Sequence, residues 1–206
     1  MLSTLTNRFI GLVLVSLPLT SLWAQPSEPK RGTVVTQILP SAILRENRIG
    51  LDANRRIKVY LPPGYATSGK AYPVVYYCHS IFWDNEKLVA DGKLVHLLDR
   101  GIANGVTQGF ILVAADYSTP TTGSVYENSP ITGRWLDFTT QELVPFIDQC
   151  YRNLRHRDSR AVTGDFMGGQ GALQLAMAHA RQCQYLIDCL KLTNASCLRI
   201  FRLITI

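Results

Sequence analysis

Two apolar runs, 73-PVVYYCHS-80 and 110-FILVAAD-116, continue with little polar interruption, the pattern of central strands buried on both faces. Between them, 86-EKLVADGKLVHLLDRGIANG-105 places Leu88, Leu94, Leu97 and Leu98 at roughly helical spacing, and Gly101 and Gly105 mark its end. Upstream, 55-RRIKVYLPPGY-65 alternates polar and apolar positions before the turn signal Pro62-Pro63-Gly64. The segment 33-TVVTQILPSAIL-44 reads as an edge strand with Pro40 near its end.

Downstream, 134-RWLDFTTQELVPFIDQCY-151 carries Trp135, Phe138, Phe146 and Cys150 along one helical stripe, with Pro145 expected to kink it. The intervening loop, 117-YSTPTTGSVYENSPITG-133, is long, polar and rich in turn formers, a kind of loop that is often functional. The short run 160-RAVTG-164 predicts one more strand. Strands alternating with helices indicate an α/β fold with a largely parallel sheet. The chain shows no internal repeat and no low-complexity tract.

The stretch 160-RAVTGDFMGGQGALQLAMAH-179 lays out a strand, a sharp turn and a helix. Gly164 and Gly168 bracket a central position, as in the G-x-S-x-G nucleophile elbow of α/β-hydrolases. The central residue is Phe166, which has no nucleophilic atom.

Composition narrows the picture without changing it. A chain of 206 residues that is 47% hydrophobic and 17% charged is long enough for one domain with a real core and too apolar for disorder. The net charge of +6 lies largely at the ends, since residues 25–180 carry 16 basic and 14 acidic side chains. There is no basic stripe interleaved with aromatics, which argues against nucleic acid as a partner.

Arg8, the apolar run 9-FIGLVLVSLPLTSLW-23 and the small residue Ala24 read as an export signal over residues 1–24, followed by the polar linker 25-QPSEPKRG-32. The run is short and proline-interrupted for a membrane span, an uncleaved anchor being the alternative. A periplasmic or secreted location is the expectation. Cys78 and Cys150 are expected to be buried free thiols, and Cys183, Cys189 and Cys197 show no metal-ligand spacing with histidine. Neither a disulfide nor a metal site is assigned, and no cofactor is implied.

The series 59-VYLPPGY-65, 73-PVVYYCHS-80, 123-GSVYENSPITGRWLDF-138, 142-ELVPFID-148 and 160-RAVTGDFMGGQGALQLAMAH-179 resembles the esterase D-like group of α/β-hydrolases over roughly residues 33–180. That group includes feruloyl and acetylxylan esterases, enterochelin esterases, mycolyltransferases and S-formylglutathione hydrolase. The resemblance implies an α/β-hydrolase three-layer sandwich with a mostly parallel sheet. It also implies an elbow serine that attacks an ester carbonyl, a histidine that takes its proton and an acid that orients the histidine. Phe166 occupies the serine's place. Met167 matches the residue whose backbone N–H forms half of the oxyanion hole, and Ile81 is the candidate for the other half. Ser80 stands where the family usually has glycine, which puts that loop's conformation in question. Tyr126, Asn128, Ser129 and Trp135 are candidates for the pocket rim, with a purely structural role as the alternative.

Three departures bear on function. Phe166 offers no lone pair, and an aromatic ring there is expected to crowd the pocket. Asp165 sits one position before the centre of the turn and is expected to miss the pocket as a surface or turn-capping residue. Of the four histidines, His79 reads as a packed strand-end residue, His96 lies on a helix face and His156 in a charged turn. His179 lies thirteen residues along the helix, roughly 20 Å from the elbow. The segment 181–206 departs from the family's pattern and reads like a shifted frame, with an amphipathic tail as the rival reading. The family's last strands are then missing, and the strand at 160–164 is expected to form an exposed, aggregation-prone edge unless the tail covers it. The expected protein is an exported esterase homologue without its own hydrolysis. The alternatives are a ligand-binding pseudo-hydrolase and an active hydrolase with an unorthodox nucleophile. The partner implied by the resemblance is a small-molecule or polysaccharide-linked ester.

Overall fold

A computed structural model describes residues 31–81, 83–120, 123–178 and, as backbone, 185–189. The expected leader, most of the linker, His179 and most of the segment 181–206 lie outside the described residues. In chain order the strands are β1 (Thr33–Pro40), β2 (Asn54–Leu61), β3 (Val74–Cys78), β4 (Ile111–Ala115), β5 (Asn128–Ser129), β6 (Gly133–Arg134), β7 (Arg160–Asp165) and β8 (Tyr185–Cys189). The helices are α1 (Tyr65–Ser68), α2 (Asn85–Val89), α3 (Lys93–Ala103), α4 (Trp135–Asp137), α5 (Val144–Cys150) and α6 (Met167–Ala178).

The main sheet has the order β1-β2-β4-β3-β7-β8. Contacts from β4 through β3 and β7 to β8 are parallel, whereas β1 and β2 join antiparallel at the other side. The alternation of side chains along β3 divides the core in two. Val74, Tyr76 and Cys78 enter a large cluster with residues of α4, α5 and α6, while Val75 and Tyr77 pack towards α3. Helices cover both faces, which makes the three layers expected of an α/β-hydrolase.

Several local expectations are corrected. The helix expected over 86–105 is two helices: the chain turns at Gly92, in the left-handed region at φ 68°, and the Asp91 carboxylate accepts the Lys93 N–H at 2.9 Å where α3 starts. The helix at 134–151 runs on past Pro145, and it widens just before that residue through a π-helical segment at Phe138–Leu143 that joins α4 to α5. The wider turn inserts one residue into the helical repeat, so the buried stripe shifts from the expected Phe146 and Cys150 to Leu143, Val144 and Ile147. Cys150 is exposed, whereas Cys78 is buried as expected. The exposed edge expected at β7 is covered, since β8 pairs with it in parallel from Ala161↔Tyr185 to Asp165↔Cys189.

Candidate functional site

The carboxyl ends of β4, β3 and β7 lie side by side, and the chain crosses from one side of β3 to the other between β4 and β7. Such a switch point opens a crevice in open α/β sheets, where ligands bind. Three loops meet there: residues 79–81 after β3, the segment after β4 and the turn after β7.

The turn after β7 is a sharp elbow. Phe166 has φ 50°, in the left-handed region, and α6 begins at the next residue. The amides of Gly169 and Gln170 both donate to the Phe166 carbonyl, at 3.0 and 3.3 Å. Close packing explains the small residue at position 168: a Cβ on Gly168 would lie 1.9 Å from the Cys78 carbonyl oxygen. The glycine thus lets the first turn of α6 press onto the end of β3. Cys78 is in register with Gly164, so the elbow and the loop after β3 are neighbours across one strand pair.

Phe166 itself is 76% exposed. The ring therefore stands out from the turn into the open, and the crowded pocket expected of it is not found. No oxygen or sulfur nucleophile occupies the centre of the elbow. Asp165 is neither on the surface nor a turn cap: it is buried at the end of β7, where its carboxylate accepts the Tyr77 hydroxyl at 2.7 Å.

Met167 opens α6, so its N–H belongs to the first turn and has no acceptor within the helix. Ile81 sits beyond Ser80 with Gly123 packed against it, 3.4 Å separating an added Cβ on Gly123 from the Ile81 Cα. Both oxyanion candidates thus lie at the same end of adjacent strands. Ser80 does not need glycine's freedom, since the non-glycine residues with positive φ among those described are Val125, Tyr126 and Phe166. Its carbonyl accepts the Trp83 amide at 3.0 Å, closing a tight turn beside an exposed Trp83.

His79 is 2% exposed and is a packed strand-end residue, as the sequence suggests. Its Nε2 accepts the Tyr117 backbone N–H at 2.9 Å, and its Nδ1 lies 2.9 Å from the Ser80 carbonyl oxygen. Burial lowers its pKa below the usual histidine value, with the Ser80 carbonyl and the nearby carboxylates of Asp116, Asp84 and Asp165 opposing that effect. Neither nitrogen is left to serve a nucleophile. His96 is exposed on α3, and His156 lies before β7, at the opposite end of that strand from the elbow.

Of the four residues expected at the pocket rim, Trp135 and Tyr126 are not there. Trp135 is wholly buried against Tyr117 and Phe138, with the Arg55 guanidinium 5.4 Å from its ring centroid. Tyr126, 3% exposed, lies under the loop as a brace. Its hydroxyl donates to the His79 carbonyl at 2.5 Å, and its ring lies where a Cβ on Gly171 of α6 would sit, 2.3 Å away. Burial raises its phenol pKa well above the usual value. Asn128 and Ser129 serve local turns, accepting the Asp137 amide and the Ile131 and Thr132 amides respectively. Hydrophobic patterning locates such aromatics but not their side of the surface. The bracing role of Tyr126 and the paired bonds of His79 had no signal in the sequence beyond their place in the loops.

A recess of about 550 Å³ opens between Arg31, Leu61, Pro62 and Tyr65. Leu61 ends β2, which runs antiparallel to β4, so this recess is at the far end of the sheet from the elbow. Among the described residues, no helix is long and apolar enough to cross a membrane.

Comparison with known proteins bears on the same elbow and sheet. The family model described as "Putative esterase" matches residues 49–187, extending past residue 180, where the family-like segment is expected to end. Esterase Rv1288 of Mycobacterium tuberculosis (strain H37Rv) is 33% identical over 129 residues, covering 60% of this chain and 26% of the relative. The chain therefore spans about a quarter of the length of that relative. Among solved structures, a ferulic acid esterase superposes with a TM-score of 0.66 at 25% identity, covering 79% of this chain and 61% of the other. A serine-to-alanine mutant of the feruloyl esterase module from Clostridium thermocellum, complexed with sinapinate, gives a TM-score of 0.63 at 20% identity, covering 77% and 53%. With the elbow, the layered sheet and a family match over most of its length in agreement, the chain belongs to the esterase family of α/β-hydrolases.

Proposed function

We propose that this chain is an exported member of the esterase family that does not itself hydrolyse esters. The observation that carries the reading is Phe166. It stands at the centre of the elbow, at φ 50°, in the place where an acyl-transfer enzyme needs an oxygen or sulfur nucleophile. The neighbouring Asp165 is committed to Tyr77, and His79 has both nitrogens engaged. Among the described residues there is thus no nucleophile paired with a free base, the minimum that covalent ester hydrolysis requires. The leader pattern of Arg8, residues 9–23 and Ala24 motivates export. N-terminal sequencing of protein recovered outside the cytoplasm should then begin at Gln25.

The test of inactivity is turnover of an aryl acetate by the purified full chain. The expected rate is that of a heat-denatured control, in the native chain and in Phe166→Ser alike, because the introduced hydroxyl would find no free base among the described residues. Turnover by Phe166→Ser would overturn the reading, and turnover by the native chain that disappears in Asp165→Asn would establish the unorthodox nucleophile instead.

A second reading, a ligand-binding pseudo-hydrolase, is favoured by one comparison. The Clostridium module is complexed with sinapinate as a serine-to-alanine mutant, so a protein of this fold holds an aromatic acid with one of its serine hydroxyls removed. Aromatic acids or polysaccharide-linked aromatic esters are then the ligands to try. A ligand at about a hundred times its Kd adds about 2.7 kcal/mol to stability, which a thermal melt with and without sinapinate would detect. No shift at saturating concentration would count against this second reading.

A further inference from the structure

Among the described residues, His79 is the one buried histidine. Its partners fix its state. The Ser80 carbonyl can only accept, so Nδ1 carries the proton, and the Tyr117 amide can only donate, so Nε2 is the bare acceptor. The residue's own carbonyl receives the Tyr126 hydroxyl. One side chain and one carbonyl therefore connect the loop after β3 to the residue that follows Asp116 at the end of β4, and to the loop that braces α6.

The surroundings are apolar or already paired. The rings of Tyr117 and Tyr126 flank the imidazole, with centroids 6.0 and 6.4 Å away. Asp116, at the end of β4, is held by Arg55 at 3.1 Å, with Arg56 at 3.9 Å, and accepts the Ser118 hydroxyl. Asp84 caps α2 through the Lys87 amide, Asp165 at the end of β7 holds Tyr77, and Cys78 precedes His79 on β3. Helix α6 contributes no ionisable side chain. A proton taken up at Nε2 would set one N–H against another across 2.9 Å, so the imidazole and the Tyr117 amide must part.

We propose that His79 is a proton-sensitive positioning residue: its neutral Nδ1–H form ties the loop Ser80–Ile81 to the Tyr117 backbone beside the elbow, and protonation at Nε2 breaks that tie while the sheet stays folded. Burial of the ring places the release on the acid side of the ordinary histidine value of 6.5. The consequence for an oxyanion hole rests on the family reading of Ile81, whereas the tie itself rests only on the contacts above.

The experiment is nuclear magnetic resonance on the full chain with ¹⁵N-labelled histidine and backbone amides. At about pH 7.5 the expected tautomer of His79 is Nδ1–H. As the pH falls below about 6.5, His79 should take up a proton while protection of the Tyr117 amide, corrected for intrinsic exchange, drops by about tenfold. The Ile81 amide should shift with the same midpoint, and the mid-sheet amides of Val75 and Val113 should not. His79→Gln keeps one acceptor and one donor without titrating, so both transitions should vanish in it. An Nε2–H tautomer at neutral pH overturns the proposal, as does a His79 titration that leaves Ile81 and Tyr117 unmoved, or an acid transition that survives in His79→Gln. If that variant does not fold, the tautomer and the shared midpoint in the native chain decide the matter. Release seen as described, with bound sinapinate indifferent to it, would support the tie and count against Ile81 as part of a ligand site.

Discussion

Phe166 holds a backbone conformation that costs a residue with a Cβ roughly 1–2 kcal/mol. Its ring recovers little of that, being largely exposed. Glycine would remove the strain, at an entropic cost in the unfolded chain of roughly 0.5–1 kcal/mol. Phe166→Gly is therefore expected to stabilise the fold by about 0.5–1 kcal/mol, read as a higher urea midpoint at unchanged slope. A lower midpoint would mean that the ring has packing partners. For His79 the sign runs the other way with acid. Its folded pKa is lowered from 6.5, so between that value and the folded one the unfolded chain binds the proton first. Stability from this residue is complete above 6.5 and falls as the pH drops through that window, and urea midpoints of the native chain should show a loss there that His79→Gln lacks. The missing nucleophile was readable from the spacing of Gly164 and Gly168 alone, because an elbow is a local motif. The bonds that tie His79 to Tyr117 and Tyr126 were not, since both partners lie more than 35 residues away in sequence.

The order of strands and helices was legible because buried parallel strands are written as continuous apolar runs and the turns between them as proline and glycine. The path of the helix through Trp135–Cys150 was not. Its π-helical turn places Glu142 where the carboxylate reaches across to residues 41–43, accepting the Ser41 hydroxyl and the amides of Ala42 and Ile43. Those donors belong to the start of the 3-10 turn Ile43–Glu46, whose first amides have no partners of their own. A contact between positions about a hundred apart, specified by a one-residue change of helical register, leaves no periodic trace in the sequence. Glu142→Ala strands all three donors at a partly buried junction. The expected loss is about 1.5–3 kcal/mol, the range for hydrogen bonds to a charged group, and Glu142→Gln should recover part of it by keeping one oxygen. Equal midpoints for the alanine variant and the native chain would show that water replaces the carboxylate at no cost.

At the scale of the whole molecule, β8 is the last strand on the sheet's parallel side among the described residues, drawn from a segment whose composition predicts no family strand. All six residues of β7 are buried, so without a neighbour its backbone donors and acceptors would face water from an apolar strand. On α6 itself, Leu173 and Met177 leave exposed apolar side chains, with the exposed Phe166 just before the helix. Leu173 and Met177 are one helical turn apart, away from the buried Gly168, Gly171 and Leu175. An open edge together with exposed apolar side chains is a template for association between chains, and β8 is what closes the first of the two. A chain ended after Ala178 should therefore elute from size exclusion as large, polydisperse species at concentrations where the full chain does not. Lysine placed at Ala161 or Thr163, alternating positions of β7, should not rescue it, because both side chains point into packed layers rather than along the edge. A shortened chain that elutes like the full one, with the same urea midpoint, would mean that β8 adds nothing to the sheet and that β7 tolerates an open side.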